Sequence, residues 1–394
     1  MQGETDRKMA AVRAYLDYNA SAPLLGQARE AVVAALDGAN PSSVHGEGRA
    51  ARRIVEEARR RVAALANANP QHVVFTSGAT EAAMTLLTPD WRMGKAALRF
   101  GRLYVCTADH PCLLGGGRFP AHQVTRIGVD GDGLLRLDEL IASLAAHDRE
   151  QGLALVAVHA ANNETGVVQP LEEIASVVRA AGGVLVLDAV QAAGRIPLDM
   201  SKPCADYLIL SAHKIGGPKG VGAIIAAADL MMPKPLVAGG GQEKGHRGGT
   251  ENLAGIAGFG AAAAAVLEGL GSVDRVRNMR DRFEAALVEL VPDAVIFGHA
   301  APRLANTSFF AIPGLKAETA QIAFDLAGVA LSAGSACSSG KVGPSHVLAA
   351  MGVDEIQGAL RVSIGQETSV QDLELFRSAL AGIASRRAGG SRAA

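Results

Sequence analysis

The feature that most constrains this chain is a series of short, wholly apolar runs, each followed closely by polar residues. They lie at 73–75 (VVF), 103–105 (LYV), 155–158 (LVAV), 184–187 (VLVL) and 207–210 (YLIL). A strand with one wet face alternates apolar and polar residues. These runs do not alternate, so both of their faces must be covered. Helical stretches lie between them, at 49–66 (RAARRIVEEARRRVAALA) and 171–181 (LEEIASVVRAA). Strands alternating with helices predict an α/β fold with a mostly parallel sheet covered on both faces. In such sheets ligands sit at the C-terminal ends of the strands, which is where the polar motifs fall.

The pattern changes near 254–270, where an Ala-rich segment precedes a charged helix at 274–290, a strand-like run at 304–312 and a glycine-rich stretch around Cys337. This predicts a large domain over 16–262 and a smaller α/β domain formed by 1–15 and 263–394. The tail at 386–394 reads as frayed. The formal net charge of −1 provides no basic field for nucleic acid or anionic lipid. The apolar stretch 254–267 is short and reads as a buried helix, not a membrane span. Residues 1–12 are polar and mixed in charge, unlike a signal peptide. Cysteines stand at 106, 112, 204 and 337, with no CxxC pair. Their spacing suits neither a disulfide framework nor a zinc site, so a reducing cytoplasm is expected.

Three motifs carry chemistry. Thr76-Ser77-Gly78-Ala79-Thr80-Glu81 follows the first run. A small, hydroxylated turn opening a helix presents N–H groups that suit a phosphate, or it is an ordinary helix cap. The run 184–187 ends in Asp188, and a buried carboxylate there wants a cation: a protonated pyridine nitrogen, or a structural salt bridge. The run 207–210 leads into Ser211-Ala212-His213-Lys214. A lysine delivered from a strand end can anchor a carbonyl cofactor, or it can be a solvated surface lysine.

Order and spacing together resemble the fold-type I pyridoxal-phosphate (PLP) enzymes, and within them the cysteine desulfurases of the class V aminotransferase group. The resemblance runs from about Tyr15 to about residue 385. It is carried by LDYNASAP at 16–23, NPSSVHGEGR at 40–49, TSGATE at 76–81, NNETG at 162–166, DAVQ at 188–191, SAHKIGGPKG at 211–220, RGGTEN at 247–252, SAGSACSSG at 332–340 and LRVSIG at 360–365.

The resemblance implies pyridoxal 5′-phosphate as cofactor, with Lys214 as its covalent anchor. It implies that Asp188 pairs with the pyridinium nitrogen, that His110 stacks on the ring and aids proton transfer, and that Gln191 bonds the ring hydroxyl. Ala79, Thr80, Ser211 and His213 would hold the phosphate. Thr250 would reach the phosphate of a neighbouring subunit, implying a homodimer. Arg361 would clamp the carboxylate of an L-cysteine substrate, with Asn163 beside the ring and that carboxylate. Cys337, in a run of small residues that reads as a mobile loop, would receive the sulfur as a persulfide and pass it to an acceptor protein, for iron–sulfur clusters or other sulfur transfer. His45, in NPSSVH, would lie near the mouth of the site. Cys106, Cys112 and Cys204 read as small packing residues, although Cys112 follows His110-Pro111 and could lie near the site.

Selenocysteine lyases and cysteine sulfinate desulfinases share nearly every one of these motifs, and comparative turnover of the three substrates would separate them. A transaminase needs no mobile cysteine. A non-catalytic interaction subunit would not need Lys214, Asp188, His110, Gln191, Arg361 and Cys337 together.

Overall fold

The computed structural model describes residues 13–334, 345–353 and 358–390. Its centre is a nine-stranded sheet. Four strands run parallel in its middle: Ala96–Cys106, Leu153–His159, Val184–Asp188 and Tyr207–Ser211. Val184–Asp188 and Tyr207–Ser211 are buried at every position, as non-alternating apolar runs require. Each fully buried Val, Leu or Ile contributes about 1.5–3 kcal/mol of transfer free energy, so these runs fix where the chain enters the core.

Parallel register sets the site. His159 lies opposite Asp188, and Asp188 opposite Ile209, so the strand ends form a row. Gly222–Ala226 runs antiparallel beside Tyr207–Ser211 and also pairs antiparallel with Val73–Thr76. Ser211 and Thr76 therefore both sit opposite Gly222, which brings the end of Val73–Thr76 to the same edge.

The helix Gly46–Ala64 buries Ala51, Val55, Ala58 and Val62, one stripe at helical spacing. His45 is its N-cap, accepting from the Gly48 N–H, so the structure gives that residue a capping role. The Ala/Gly-rich helix Leu253–Glu268 packs against Gly46–Ala64 and Gly26–Ala35. A Cβ on Gly260 would stand 2.6 Å from Ala58 Cα, so the close crossing needs glycine there.

A second sheet orders Val295–Ile296, Thr307–Ala311, Leu360–Ser363 and Ser332–Ala333, all antiparallel. It has its own apolar core, where Phe324 and Phe376 stack with centroids 5.4 Å apart. Ala14–Tyr15 pairs with Val329–Ala330, tying the start of the described chain to this second layer. Part of the segment read as frayed is helical: the helix Val370–Gly390 runs through 386–390, and Arg387 bonds Asp293 at 2.7 Å, while 391–394 fall outside the described residues.

Candidate active site

The row of strand ends opens into a cavity of about 500 Å³. Ala79, Thr80, His110, Asn163, Asp188, Gln191, Ser211, His213 and Lys214 all line it. These residues come from five separate chain segments, and the register described above is what brings them together.

Gly78 caps the helix Ala79–Leu86 without a side-chain bond, which leaves the first-turn N–H groups directed at the cavity. The turn is held from two sides. Glu81 accepts the Ser77 N–H at 2.8 Å, and it pairs with Arg247 at 3.1 Å. Behind the turn, a Cβ on Gly222 would lie 2.7 Å from the Gly78 carbonyl carbon, so the neighbouring strand must be bare there.

Asp188 is 7% exposed and accepts one backbone N–H, from Val190 at 3.0 Å. Among the described residues it makes no ion pair with lysine or arginine. Burial first, and the nearby Asp109 charge on the same side, push its carboxyl up to about 6. A buried carboxyl under that pressure gains from a cation placed against it. Lys214 Nζ donates to the carbonyls of Asn19 at 2.7 Å and Ala20 at 3.0 Å.

Burial, then Lys214 and His346, lower His110 to about 4, so its imidazole is neutral at ordinary pH. Its Nδ1 accepts the Cys112 N–H at 3.2 Å, which leaves the ring hydrogen on Nε2. His213 is likewise lowered to about 4, by burial and then by Lys214 and Lys219. Gln191 donates to the Asn19 carbonyl at 3.0 Å and accepts from Arg195.

Two expected site residues, Arg361 and Thr250, do not line the cavity, and a third, Cys337, falls outside the described residues. Arg361 sits behind the cavity wall, 1% exposed, donating to the Asn163 carbonyl at 2.8 Å and pairing with Asp17 at 2.7 Å. Its Nε is buried without a partner among the described residues. Thr250 is exposed and does not line the cavity. Cys337 lies outside the described residues.

Some site residues carried no readable signal. His159 lines the cavity, bonded to Asp109, because strand register places it next to Asp188. Lys219 also lines it, within a motif whose lysine had no assigned role. Cys112 is part of the wall, and burial, then Asp188 and Asp109, push its thiol well above the ordinary range, which makes it a packing group rather than a nucleophile. Cys106 is fully buried, and Cys204 donates to the Asp199 carbonyl.

The site therefore offers an anion cradle, a buried carboxyl seeking a cation, a lysine and a neutral imidazole around one space. That set fits pyridoxal phosphate, with its phosphate, pyridine nitrogen and aldehyde. Residues 14–376 match the aminotransferase class-V family. The chain belongs to that family. A cysteine desulfurase from Cereibacter sphaeroides is 40% identical over 372 residues, 92% of this chain and 93% of the relative. Another, from Frankia sp. (strain EuIK1), is 41% identical over 381 residues, 91% of this chain and 88% of the relative. Among solved structures, a NifS-like protein from Rickettsia africae superposes with a TM-score of 0.84 at 30% identity, covering 94% of this chain and 99% of that one. As a class-V member the chain is a PLP-dependent enzyme of fold type I.

Proposed function

We propose that this class-V enzyme is a cysteine desulfurase: it removes the sulfur of L-cysteine, releases L-alanine and carries the sulfur as a persulfide on Cys337. The observation that carries the reading is the convergence of Lys214, Asp188, His110 and the 76–81 turn on one cavity, in a chain that also contains SAGSACSSG. Relatives of similar length named cysteine desulfurase support the choice of substrate.

In this reading the first-turn N–H groups of Ala79 and Thr80, with Ser211 and His213, hold the phosphate. Asp188 would pair with the ring nitrogen and favour its protonated form, and neutral His110 would lie beside the ring. Bound there, pyridoxal phosphate supplies an electron sink for charge that develops at the substrate Cα. Lys214 would anchor the cofactor through its Nζ and would carry protons at the substrate Cα. Asn163 and Arg361 orient the substrate carboxylate, with Asp17 giving way. The Cys337 thiolate then attacks the substrate Sγ: an S–S bond forms, the C–S bond breaks, and its electron pair stays with the carbon skeleton that becomes alanine.

Thr250 is exposed and outside the cavity, on a loop that Arg247 ties to Glu81. This supports a homodimer in which Thr250 serves the partner's phosphate. A sulfur-acceptor protein, a role in iron–sulfur cluster assembly or other sulfur transfer, and a cytoplasmic location complete the proposal.

The test compares two variants. Cys337→Ser should retain the cofactor chromophore and lose sulfide release from cysteine. Lys214→Ala should lose the chromophore on dialysis. Full desulfurase activity in Cys337→Ser would place the sulfur acceptor elsewhere.

A further inference from the structure

Next to Asp188 lies a buried network that the reaction scheme above does not use. Asp109 is fully buried after the strand Ala96–Cys106. Its Oδ2 accepts the Cys106 N–H at 2.8 Å. Its Oδ1 accepts the His159 backbone N–H at 2.8 Å and lies 2.6 Å from His159 Nδ1. His159 Nε2 lies 2.9 Å from Gln169 Nε2.

The proton positions follow from Gln169. Its Oε1 accepts the Leu135 N–H at 2.9 Å, and its Nε2 donates to the Gly133 carbonyl at 2.9 Å. Two backbone partners thus fix the amide orientation, so Nε2 faces His159 as a donor. His159 Nε2 must be the acceptor, and the ring hydrogen sits on Nδ1, aimed at Asp109. The imidazole is neutral in this arrangement, and Asp109, taking three N–H bonds, is the charged member. Cys106 Sγ lies within the same 4.8 Å group, yet both imidazole nitrogens and both carboxylate oxygens are already bonded. The group is a hydrogen-bond network rather than an ion site.

The network carries one negative charge and no cation. Among the described residues neither Asp109 nor Asp188 pairs with lysine or arginine. His159 stands directly opposite Asp188 in register, and both line the same cavity. A buried charge beside that strand end acts through a low dielectric and is poorly screened.

We propose that His159, locked in one tautomer by Gln169, is a positioning residue that keeps Asp109 ionised, and that this buried charge strengthens the grip of Asp188 on a protonated ring nitrogen. The inference rests on the pyridoxal-phosphate assignment. A ring that cannot carry the positive charge gains nothing from the network.

That asymmetry is the test. Cofactor-free wild-type protein, His159→Phe and Gln169→Met are titrated with pyridoxal 5′-phosphate and with its 1-deaza analogue, in which CH replaces the ring nitrogen. Gln169 does not line the cavity, so Gln169→Met reaches the cofactor through His159 and the 133–135 turn it holds, not by direct contact, and it covers the case in which His159→Phe fails to fold. Both variants should weaken pyridoxal phosphate by about tenfold, a conservative figure for one buried charge, and leave the analogue unaffected. Equal weakening of both ligands would assign His159 a packing role and overturn the inference, as would unchanged affinity for both. Wild-type protein that binds neither ligand would instead overturn the cofactor assignment itself.

Discussion

Ser345 Oγ donates a 2.6 Å hydrogen bond to Glu164 Oε2, and a Cβ built on Gly334 would stand 3.1 Å from the same oxygen. Gly334 and Ser345 flank the segment 335–344, which contains Cys337, so both flanks meet at one buried carboxyl. Burial raises Glu164 despite the opposing Ser345 bond and the charges of His346 and Arg361. Glu164→Ala should remove this shared anchor. It removes the acceptor of the Ser345 hydroxyl, which keeps only its bond from the Leu348 N–H, and should cost about 1–3 kcal/mol, read as a lower midpoint in urea. Cofactor affinity, set on the other side of the cavity, should change far less than desulfurase activity. Equal loss of both would contradict the assignment of Glu164 to the flanks alone.

Gly222→Ala tests the phosphate turn through its support. The new Cβ would meet the Gly78 carbonyl carbon at 2.7 Å and the Leu210 carbonyl oxygen at 2.6 Å, both backbone atoms that cannot rotate away. The overpacking should cost about 1–3 kcal/mol and push the turn towards the cavity. Isothermal titration with pyridoxal phosphate should show weakened binding in a protein that remains folded by circular dichroism. Unchanged affinity would mean that this turn does not hold the phosphate.

The carboxyl of Asp188 predicts a pH signature in the cofactor-free protein. Its folded value is raised to about 6, against about 3.9 unfolded. Between those values the folded state holds the extra proton, so stability falls as pH rises from about 4 to about 6 and is flat above. The full effect is about 3 kcal/mol. Asp188→Asn should remove it, so the variant should gain on wild type across that window in urea denaturation. A constant difference between the two proteins from pH 4 to 7 would rule out the buried, unpaired state of Asp188.

Arg59 and Glu243 form the most deeply buried ion pair among the described residues, with contacts of 2.7 and 2.8 Å, and Glu243 also accepts the Phe75 N–H at 2.8 Å. Glu243 and Lys244 both adopt positive φ, 47° and 57°, so the pair holds a strained turn on the way to Thr250. Arg59→Met strands the carboxylate and should cost about 3–5 kcal/mol. The double variant Arg59→Met with Glu243→Gln should recover part of that loss. A double variant no more stable than Arg59→Met would show that the charge left behind is not the cause.

The sequence made the central strands legible because residues 184–187 and 207–210 can be nothing but doubly covered strands. It also made the carboxylate and the lysine legible, since Asp188 directly follows one such run and Lys214 stands four residues past the other. The partnership of His159 with Asp109 was not legible, because it depends on a register between strands separated by some fifty positions. The pairing of Arg361 with Asp17 was hidden for the same reason: the guanidinium lies in the second sheet, and Asp17 reaches it by a fold-back of the chain start. The helical order of 386–390 was missed because its anchor, Asp293, lies far away in sequence.

The central claim is sulfur transfer from L-cysteine to Cys337. It is tested most directly by mass spectrometry of the cofactor-loaded protein after brief incubation with L-cysteine, without reductant. A mass gain of one sulfur atom, mapped to the peptide containing Cys337 and absent from Cys337→Ser, is the predicted result. Alanine release with no sulfur on that peptide, or sulfur mapped to Cys112 instead, would contradict it.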